Sequence, residues 1–291
     1  MRPVQFVDGS GSQHVQNGLS NLCKRLRQWG FVADWCPRVE EASPGCILFL
    51  HDPVNESSIP EGCVALGQRT LNRRQRLVLA EQYGLPVPRW RSLDNQNQIA
   101  SLFDEWNVNH FLYKADWSYS RAGIRLMRPD NVISLGKFDS DGDVFMEVLE
   151  GCPHTFKVDV AFDQIIACRK LFTRSVFDRK FRNGFAAPSM LSEVRSLQTE
   201  LRNIGKAAFD YGVGLMNVDI MIDGYGKSWV IELNTCSVGR EATWKRWPDI
   251  YIDGYANGVA RWMTKKHPGL CSSDPTDRAG NLAKRSGGVR C

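Results

Sequence analysis

In the stretch "NVDIMIDGYGKSWVIELNTCS", residues 217–237, three oxygen-bearing side chains, Asp219, Glu232 and Asn234, interrupt two apolar runs. The runs read as the strands of a hairpin, so the chemistry open to the trio depends on which face each residue takes. A four-residue "DGYG" loop at 223–226 would pair Ile222 with Lys227, set Asp219 against Val230 and set Glu232 against Asn217. All three donors then share one face, with Asp219 and Glu232 on a diagonal, roughly 5–8 Å apart at Cβ. A five-residue loop would send the two acids to opposite faces. On one face, two carboxylates and an amide oxygen suit a hard divalent cation, Mg²⁺ above all, completed by phosphates and water. Without a cation, two such carboxylates repel one another and one tends to keep its proton. The plainer alternative is a polar sheet face turned to solvent.

The elements that must position this hairpin fall into successive stretches. Residues 1–70 form a small α/β lobe. "PVQFVD", "FVADWC", "CILFLHD" and "CVALG" read as short strands of a parallel sheet, and Val15, Leu19, Leu22, Cys23 and Leu26 fall at helical spacing before Gly30. Residues 71–149 form a second lobe. It holds the helix "LNRRQRLVLAEQYG", the strand–loop–strand "FLYKADWSYSRAGIRLM" and the strand "DVFMEVLEG". Residues 150–264 form a third lobe. The hairpin "FKVDVAFDQIIACRKLF" turns near Asp163 and Gln164. An apolar stripe runs through Leu191, Val194, Leu197, Leu201, Ile204, Ala208 and Tyr211, and a helix spans Tyr255 to Met263. Residues 265–291 have almost no large apolar side chains and read as a disordered tail.

Composition excludes several classes. The chain of 291 residues is 43% hydrophobic and 24% charged, with a formal net charge of +5, which permits an anionic ligand without calling for nucleic acid. No apolar run is long enough to span a bilayer, and "MRPVQFVDGSGSQ" lacks the apolar core of a signal peptide. Nine cysteines with no CxxC pair argue against a disulfide framework and a structural zinc site, and fit a reducing cytoplasm. The five histidines form no cluster.

With these elements in order, the chain resembles the ATP-grasp superfamily, in particular its RimK-like, glutamate-ligase-like carboxylate–amine ligases. "VDIMID" followed by "VIELNT" is similar to the family's metal-binding signature, an Asp on one strand and Glu-x-Asn on the next. "NRRQRLVLAEQYGLPVPRW" resembles the family segment that ends in Gly-Ile/Leu-Pro-Val-Pro. "YKADWSYSRAGI" resembles the strand with an ATP-contacting lysine and its glycine-containing loop. "FMEVLEG" resembles the adenine hinge, and "FRN" at 181–183 the "FR-x-N" stretch. The resemblance covers about residues 70–264 and keeps the family's order. It departs where Arg73 replaces a lysine, where "NTCSVG" lacks the usual proline, and at Asn217.

The resemblance implies an ATP-grasp fold of α+β lobes that hold ATP between two antiparallel sheets, preceded by a short α/β lobe. It implies that Asp219, Glu232 and Asn234 hold one or two Mg²⁺, with Mn²⁺ compatible with the same donors. Lys114 and Arg73 would contact phosphates, and Ser118, Ser120 and Gly123 would belong to the loop over them. Glu147, Val148 and Leu149 would form the hinge, Lys157 would face the nucleotide, and Arg182 would contact the transferred phosphate or an acyl phosphate. The implied activity is amide or peptide bond formation between small-molecule carboxylate and amine substrates, amino acids or peptides, through an acyl phosphate. A phosphotransferase of the inositol-phosphate-kinase type and a catalytically inactive nucleotide-binding protein are the alternatives. A cytoplasmic enzyme with no nucleic-acid or membrane partner is expected, and a homo-oligomer stays open.

Overall fold

The computed structural model describes residues 2–9, 11–51, 54–66, 71–116, 123–132, 135, 138–151, 154–172, 197–210, 215–234 and 248–266. Two compact units divide the chain: Met1–Gln68 with Arg240–Cys291, and Arg69–Gly239.

In the first unit, β1 (Val4–Val7), β2 (Ala33–Cys36), β3 (Ile47–Leu50) and β4 (Val64–Leu66) form a parallel sheet in the order β2-β1-β3-β4. Both β1 and β3 are buried along their whole length, as parallel strands covered on two faces must be. The amphipathic helix α1 (Gln13–Gln28) buries Val15, Leu19, Leu22, Cys23 and Leu26, the stripe read from the sequence. The last helix among the described residues, Pro248–Lys266, grouped by sequence with the third lobe, falls in this unit. Its buried residues Tyr251, Tyr255, Val259 and Met263 recur every four positions, and its Asp253 pairs with Arg25 of α1 at 3.1 Å. Tyr255 packs edge-on against Phe6 and donates or accepts a 2.7 Å hydrogen bond with His51.

The second unit carries two antiparallel sheets. One has the order β5-β8-β6-β7, from β5 (Trp90–Arg91), β6 (Phe111–Lys114), β7 (Ile124–Met127) and β8 (Val144–Met146). The other has the order β10-β9-β11-β12, from β9 (His154–Ala161), β10 (Gln164–Phe172), β11 (Leu215–Ile222) and β12 (Ser228–Asn234). Helix α2 (Arg73–Gln82) starts with a capping box between Asn72 and Gln75 and ends at Gly84, whose φ of 71° only glycine adopts readily. A third short helix, α3 (Ser101–Trp106), packs Leu102, Phe103 and Trp106 under the first sheet. Leu79 and Ala80 of α2 and Leu201 and Ile204 of α4 (Gln198–Asp210) cover one face of the second sheet, against Phe156, Val158, Met216, Val218, Ile220 and Val230. The predicted start of the α4 stripe, Leu191 and Val194, lies outside the described residues, as do Tyr211 and 267–291.

Two turns differ from the sequence reading. The β9–β10 hairpin turns on Phe162 and Asp163, with Phe162 at φ 54°. In the β11–β12 hairpin Ile222 pairs with Ser228, so the loop has five residues, 223–227, rather than four. Asp223 holds this longer loop together: its Oδ1 accepts the backbone N–H groups of Tyr225 and Lys227, both at 2.9 Å.

Gly205 of α4 lies against the Phe162 carbonyl oxygen and the Val160 side chain, so close that an added Cβ would overlap both. Alanine in a helix normally gains ~1 kcal/mol over glycine, but overpacking costs about 1–3 kcal/mol or more. Gly205→Ala should therefore lower the urea midpoint, and a raised midpoint would show that α4 stands clear of the turn.

Candidate functional site

All the ionic contacts of the candidate site belong to the second unit. Asp219 faces Glu232 directly, Asn217 faces Asn234, and Ile220 faces Val230; Ile231 is the extra residue of a β-bulge. The five-residue loop alone would have separated the two acids, and the bulge brings them back onto one face. The diagonal predicted from a four-residue loop is thus replaced by a direct cross-strand pair. On the other side of β11, Lys157 of β9 faces Asp219, so Lys157, Asp219 and Glu232 form one row across three strands.

The row is held by charge. Lys157 Nζ donates to both oxygens of Asp219, at 2.9 and 2.7 Å. Arg73, at the first turn of α2, is 5% exposed and donates to Glu232 Oε1 at 3.2 Å and to the Ala115 carbonyl at 3.3 Å. Lys114, the last residue of β6, is also 5% exposed. Its ammonium donates to the Ile231 carbonyl at 3.0 Å and lies 3.2 Å from Met146 Sδ. The bulge therefore both aligns the acids and offers a backbone oxygen to the lysine of the other sheet.

Burial pushes the Lys114 ammonium down to about 8 from an ordinary 10.5; Glu232 opposes that fall, and Arg73 reinforces it. For Glu232, burial acts to raise the carboxyl, but Arg73, Lys114, Arg76 and Lys157 together outweigh it and hold the group below its ordinary value. Glu232 is therefore an anion at neutral pH.

Arg76 completes the cluster and was not singled out from the sequence. It donates to the Leu233 carbonyl at 3.2 Å and to Asn234 Oδ1 at 3.3 Å, and pairs with Asp116 at 3.4 Å. Its position three residues after Arg73 was the available signal, since helix positions i and i+3 share a face. The Gly123 carbonyl accepts the Ala115 N–H at 2.9 Å, and residues 117–122 between them lie outside the described residues. Glu147, Val148 and Leu149 follow β8. The Glu147 N–H donates to Arg89 O at 2.8 Å, and Val148 packs against Leu77, Leu112 and Met146. Ser118, Ser120 and Arg182 lie outside the described residues, as do Cys236 and "WKRW". The side chains of Arg169 and Lys170 are not described either.

The donor set suits a hard cation that arrives with other ligands. Two opposed carboxylates and a nearby amide oxygen offer only oxygen, in keeping with Mg²⁺. Among the described residues no group of three or more His, Cys, Asp and Glu could hold a metal. Phosphate and water oxygens would thus have to complete the shell. The described cysteines 23, 36, 46, 63 and 168 are free thiols, and no helix among the described residues is long and apolar enough to cross a membrane.

No family model matches the chain, and no curated protein matches it by sequence. Solved structures do. The ATP-grasp ligase PsnB, complexed with a minimal precursor, superposes with a TM-score of 0.62 over 89% of this chain and 99% of that one, at 16% identity. PsnB also has a structure with minimal precursor, Mg and ADP. The D-cycloserine synthetase DcsG gives 0.61 over 89% and 99% at 10% identity. A RimK domain ATP-grasp protein from Sphaerobacter thermophilus DSM 20745 gives 0.58 over 88% and 98% at 13% identity. Likeness at such identities shows the fold: this chain has the ATP-grasp fold, related to that of the RimK-like proteins.

Because the folded Lys114 lies below its unfolded value, the folded chain binds fewer protons than the unfolded one between about pH 8 and 10.5, and this group favours folding as pH rises through that window. Tyr113, raised by burial and by its hydrogen bond to Asp143, pulls the other way, so whole-protein stability is a poor readout. A residue-specific one is ¹³C-dimethyl-lysine NMR, with Lys114 assigned through Lys114→Arg. Its resonance should titrate near pH 8 and move lower in Glu232→Gln. A midpoint at the ordinary lysine value would contradict the burial assigned to it.

Proposed function

We propose that the chain is an ATP- and Mg²⁺-dependent carboxylate–amine ligase that acts on a peptide or amino acid. The observation that carries this reading is the direct opposition of Asp219 and Glu232 inside a ring formed by Lys114, Arg73, Arg76 and Lys157. Acids alone would suit a bare cation, and bases alone an anion. Interleaved, they match a metal–polyphosphate complex.

In this reading Asp219, Glu232 and Asn234 hold one or two Mg²⁺, and Mn²⁺ would meet the same oxygens. The bound metal would neutralise charge on the phosphate oxygens. Lys114 and Arg73 donate to phosphate oxygens, with Lys157 facing the nucleotide beside them. Ser118, Ser120 and Gly123 belong to the loop over the phosphates, and Glu147, Val148 and Leu149 hold adenine. Arg182 contacts the group in transfer. An oxygen of the substrate carboxylate attacks the γ-phosphorus, ADP departs with the electrons of the broken P–O bond, and an acyl phosphate results. An amine nitrogen then attacks the acyl carbon, phosphate leaves, and the nitrogen loses a proton to give an amide. Fixed cations around the phosphates supply most of the rate enhancement, because phosphoryl transfer depends chiefly on positioning and charge neutralisation. A peptide is favoured over a free amino acid because PsnB, of the same fold over most of its length, was solved with precursor peptide PsnA2 and AMPPNP, and with a minimal precursor, Mg and ADP. The division of labour is a nucleotide unit of residues 71–149, a metal-bearing sheet from 150 onward and an N-terminal lobe of 1–70, in a cytoplasmic protein.

Assay of ADP and free phosphate against pooled peptides, amino acids and amines tests the reading. Phosphate should be released only when Mg²⁺, a carboxylate and an amine are all present. Phosphate retained on a product would mark a phosphotransferase instead. Glu232→Gln should reduce turnover by ~10²-fold or more while the circular dichroism spectrum is unchanged; wild-type turnover in that variant would sink the metal assignment.

A further inference from the structure

In the parallel sheet of the first unit, two strands are preceded by cysteines that the ligase reading leaves unused. Ile47 of β3 pairs with Val64 of β4, so Cys46 and Cys63, one place earlier in each strand, stand opposite one another. The Val64 N–H donates to the Cys46 carbonyl at 3.0 Å and holds the two stretches together there. The two Sγ atoms are 3.4 Å apart. Neighbouring strands lie ~4.8 Å apart, inside the Cα separation of about 4.4–6.8 Å that a disulfide spans. Gly45 and Gly62 immediately precede the cysteines, both at φ 72°. A Cβ on Gly62 would stand 3.6 Å from the Gly45 Cα, so the stretches meet at two residues with no side chains to hold the sulfurs apart.

The surroundings tolerate the loss of both S–H groups. Cys46 Sγ lies 3.3 Å from Gln5 Oε1, and Cys63 Sγ lies 3.3 Å from the Ser43 carbonyl. Gln5 Oε1 also accepts the Ser43 N–H at 2.6 Å, so it keeps a donor when the Cys46 proton goes. Cys46 is fully buried, whereas Cys63 is half-buried. Burial, and then the bond to Cys63, push the Cys46 thiol up to about 12, so Cys46 keeps its proton and Cys63 is the sulfur that a dissolved reagent reaches. We propose that Cys46 and Cys63 form a redox site, oxidised by a low-molecular-weight disulfide such as glutathione disulfide to an intrachain disulfide that ties β4 to β3. The site lies in the first unit and does not depend on the ligase reading. The Cys63 thiolate attacks one sulfur of the reagent and expels a glutathione thiolate, leaving a mixed disulfide. Two of the causes that raise Cys46, its bond to Cys63 and the Cys63 charge, vanish at that point. The Cys46 sulfur then attacks the Cys63 sulfur, the new S–S bond forms, and the second glutathione departs with the Cys46 proton. Two protein thiols are oxidised and one reagent disulfide is reduced to two thiols. The closed ring runs from 46 to 63 and restricts the unfolded chain.

The test uses the full chain, folded and fully reduced, then held at neutral pH with excess glutathione disulfide, blocked with N-ethylmaleimide and cut by trypsin. Residues 39–69 contain Cys46, Cys63 and no other cysteine, with no Lys or Arg before Arg69, so both thiols report in one tryptic peptide. By mass spectrometry that peptide should be lighter by two hydrogens and carry no maleimide. Dithiothreitol given before blocking should restore two maleimide additions. Cys46→Ser should instead accumulate one glutathione on Cys63. In the wild-type chain, two maleimides after oxidation, glutathione retained on Cys63, or a cross-link from 39–69 to another peptide each overturns the proposal, and none of these depends on a variant folding. A folded Cys46→Ser chain whose Cys63 takes no glutathione overturns the order of attack.

Discussion

One extra residue, Ile231, sets the geometry on which the site depends. In the register that runs from the turn to Ile220 and Val230, Asp219 would have faced Ile231, and Glu232 would have faced Val218 on the core side of the sheet. A carboxylate there would lie among Phe156, Val158 and Ile220, a charge buried in apolar surroundings. The bulge steps the strand by one residue and turns Glu232 to the polar face. It also leaves the Ile231 carbonyl free to accept from Lys114 at 3.0 Å. A nearly fully buried ammonium needs such an acceptor, because burial alone opposes its charge. Acid alignment and lysine placement are thus two results of a single irregularity.

Much of this face was legible because polar residues at alternate positions of apolar strands add nothing to core packing and must face something polar. Asp219, Glu232 and Asn234 stand out that way, and Lys114 stands out as the charged end of "FLYK". Register was not legible. Nothing in "WVIEL" marks Ile231 as the unpaired residue, since Val230, Ile231 and Leu233 are alike in size and strand preference. The five-residue loop depends on Asp223 capping two backbone N–H groups, a role that Asp before Gly also plays in shorter turns. The loop and bulge errors cancelled for the faces of the acids, which is why the right face followed from the wrong loop.

The last helix shows a different limit. Tyr251, Tyr255, Val259 and Met263 announce an amphipathic helix with an apolar face of defined width. A stripe of that kind encodes how much surface must be covered and leaves open by what. Sequence proximity suggested the sheet that carries Asp219 and Glu232, whereas the covering partners are α1 and the parallel sheet formed some two hundred residues earlier. Chain order is a weak guide here because the closing helix returns to the first unit.

The charged row also has an energetic logic. Asp219 is held by both of its oxygens to Lys157, and Glu232 to Arg73, so each acid already has a cation. Removing one partner of a buried ion pair costs about 3–5 kcal/mol, because the other charge is left unmatched. A divalent cation arriving alone would take the carboxylates and strand Lys157 and Arg73 in that state. A cation arriving with a polyphosphate would exchange every partner at once: carboxylates pass to the metal, and ammonium and guanidinium groups pass to phosphate oxygens. Lys157, with 28% of its side chain exposed, has the freedom to make that move, whereas Arg73, at 6%, is anchored by the Ala115 carbonyl. On the proposed reading, the pairing in the free chain would favour a metal–polyphosphate complex over either component.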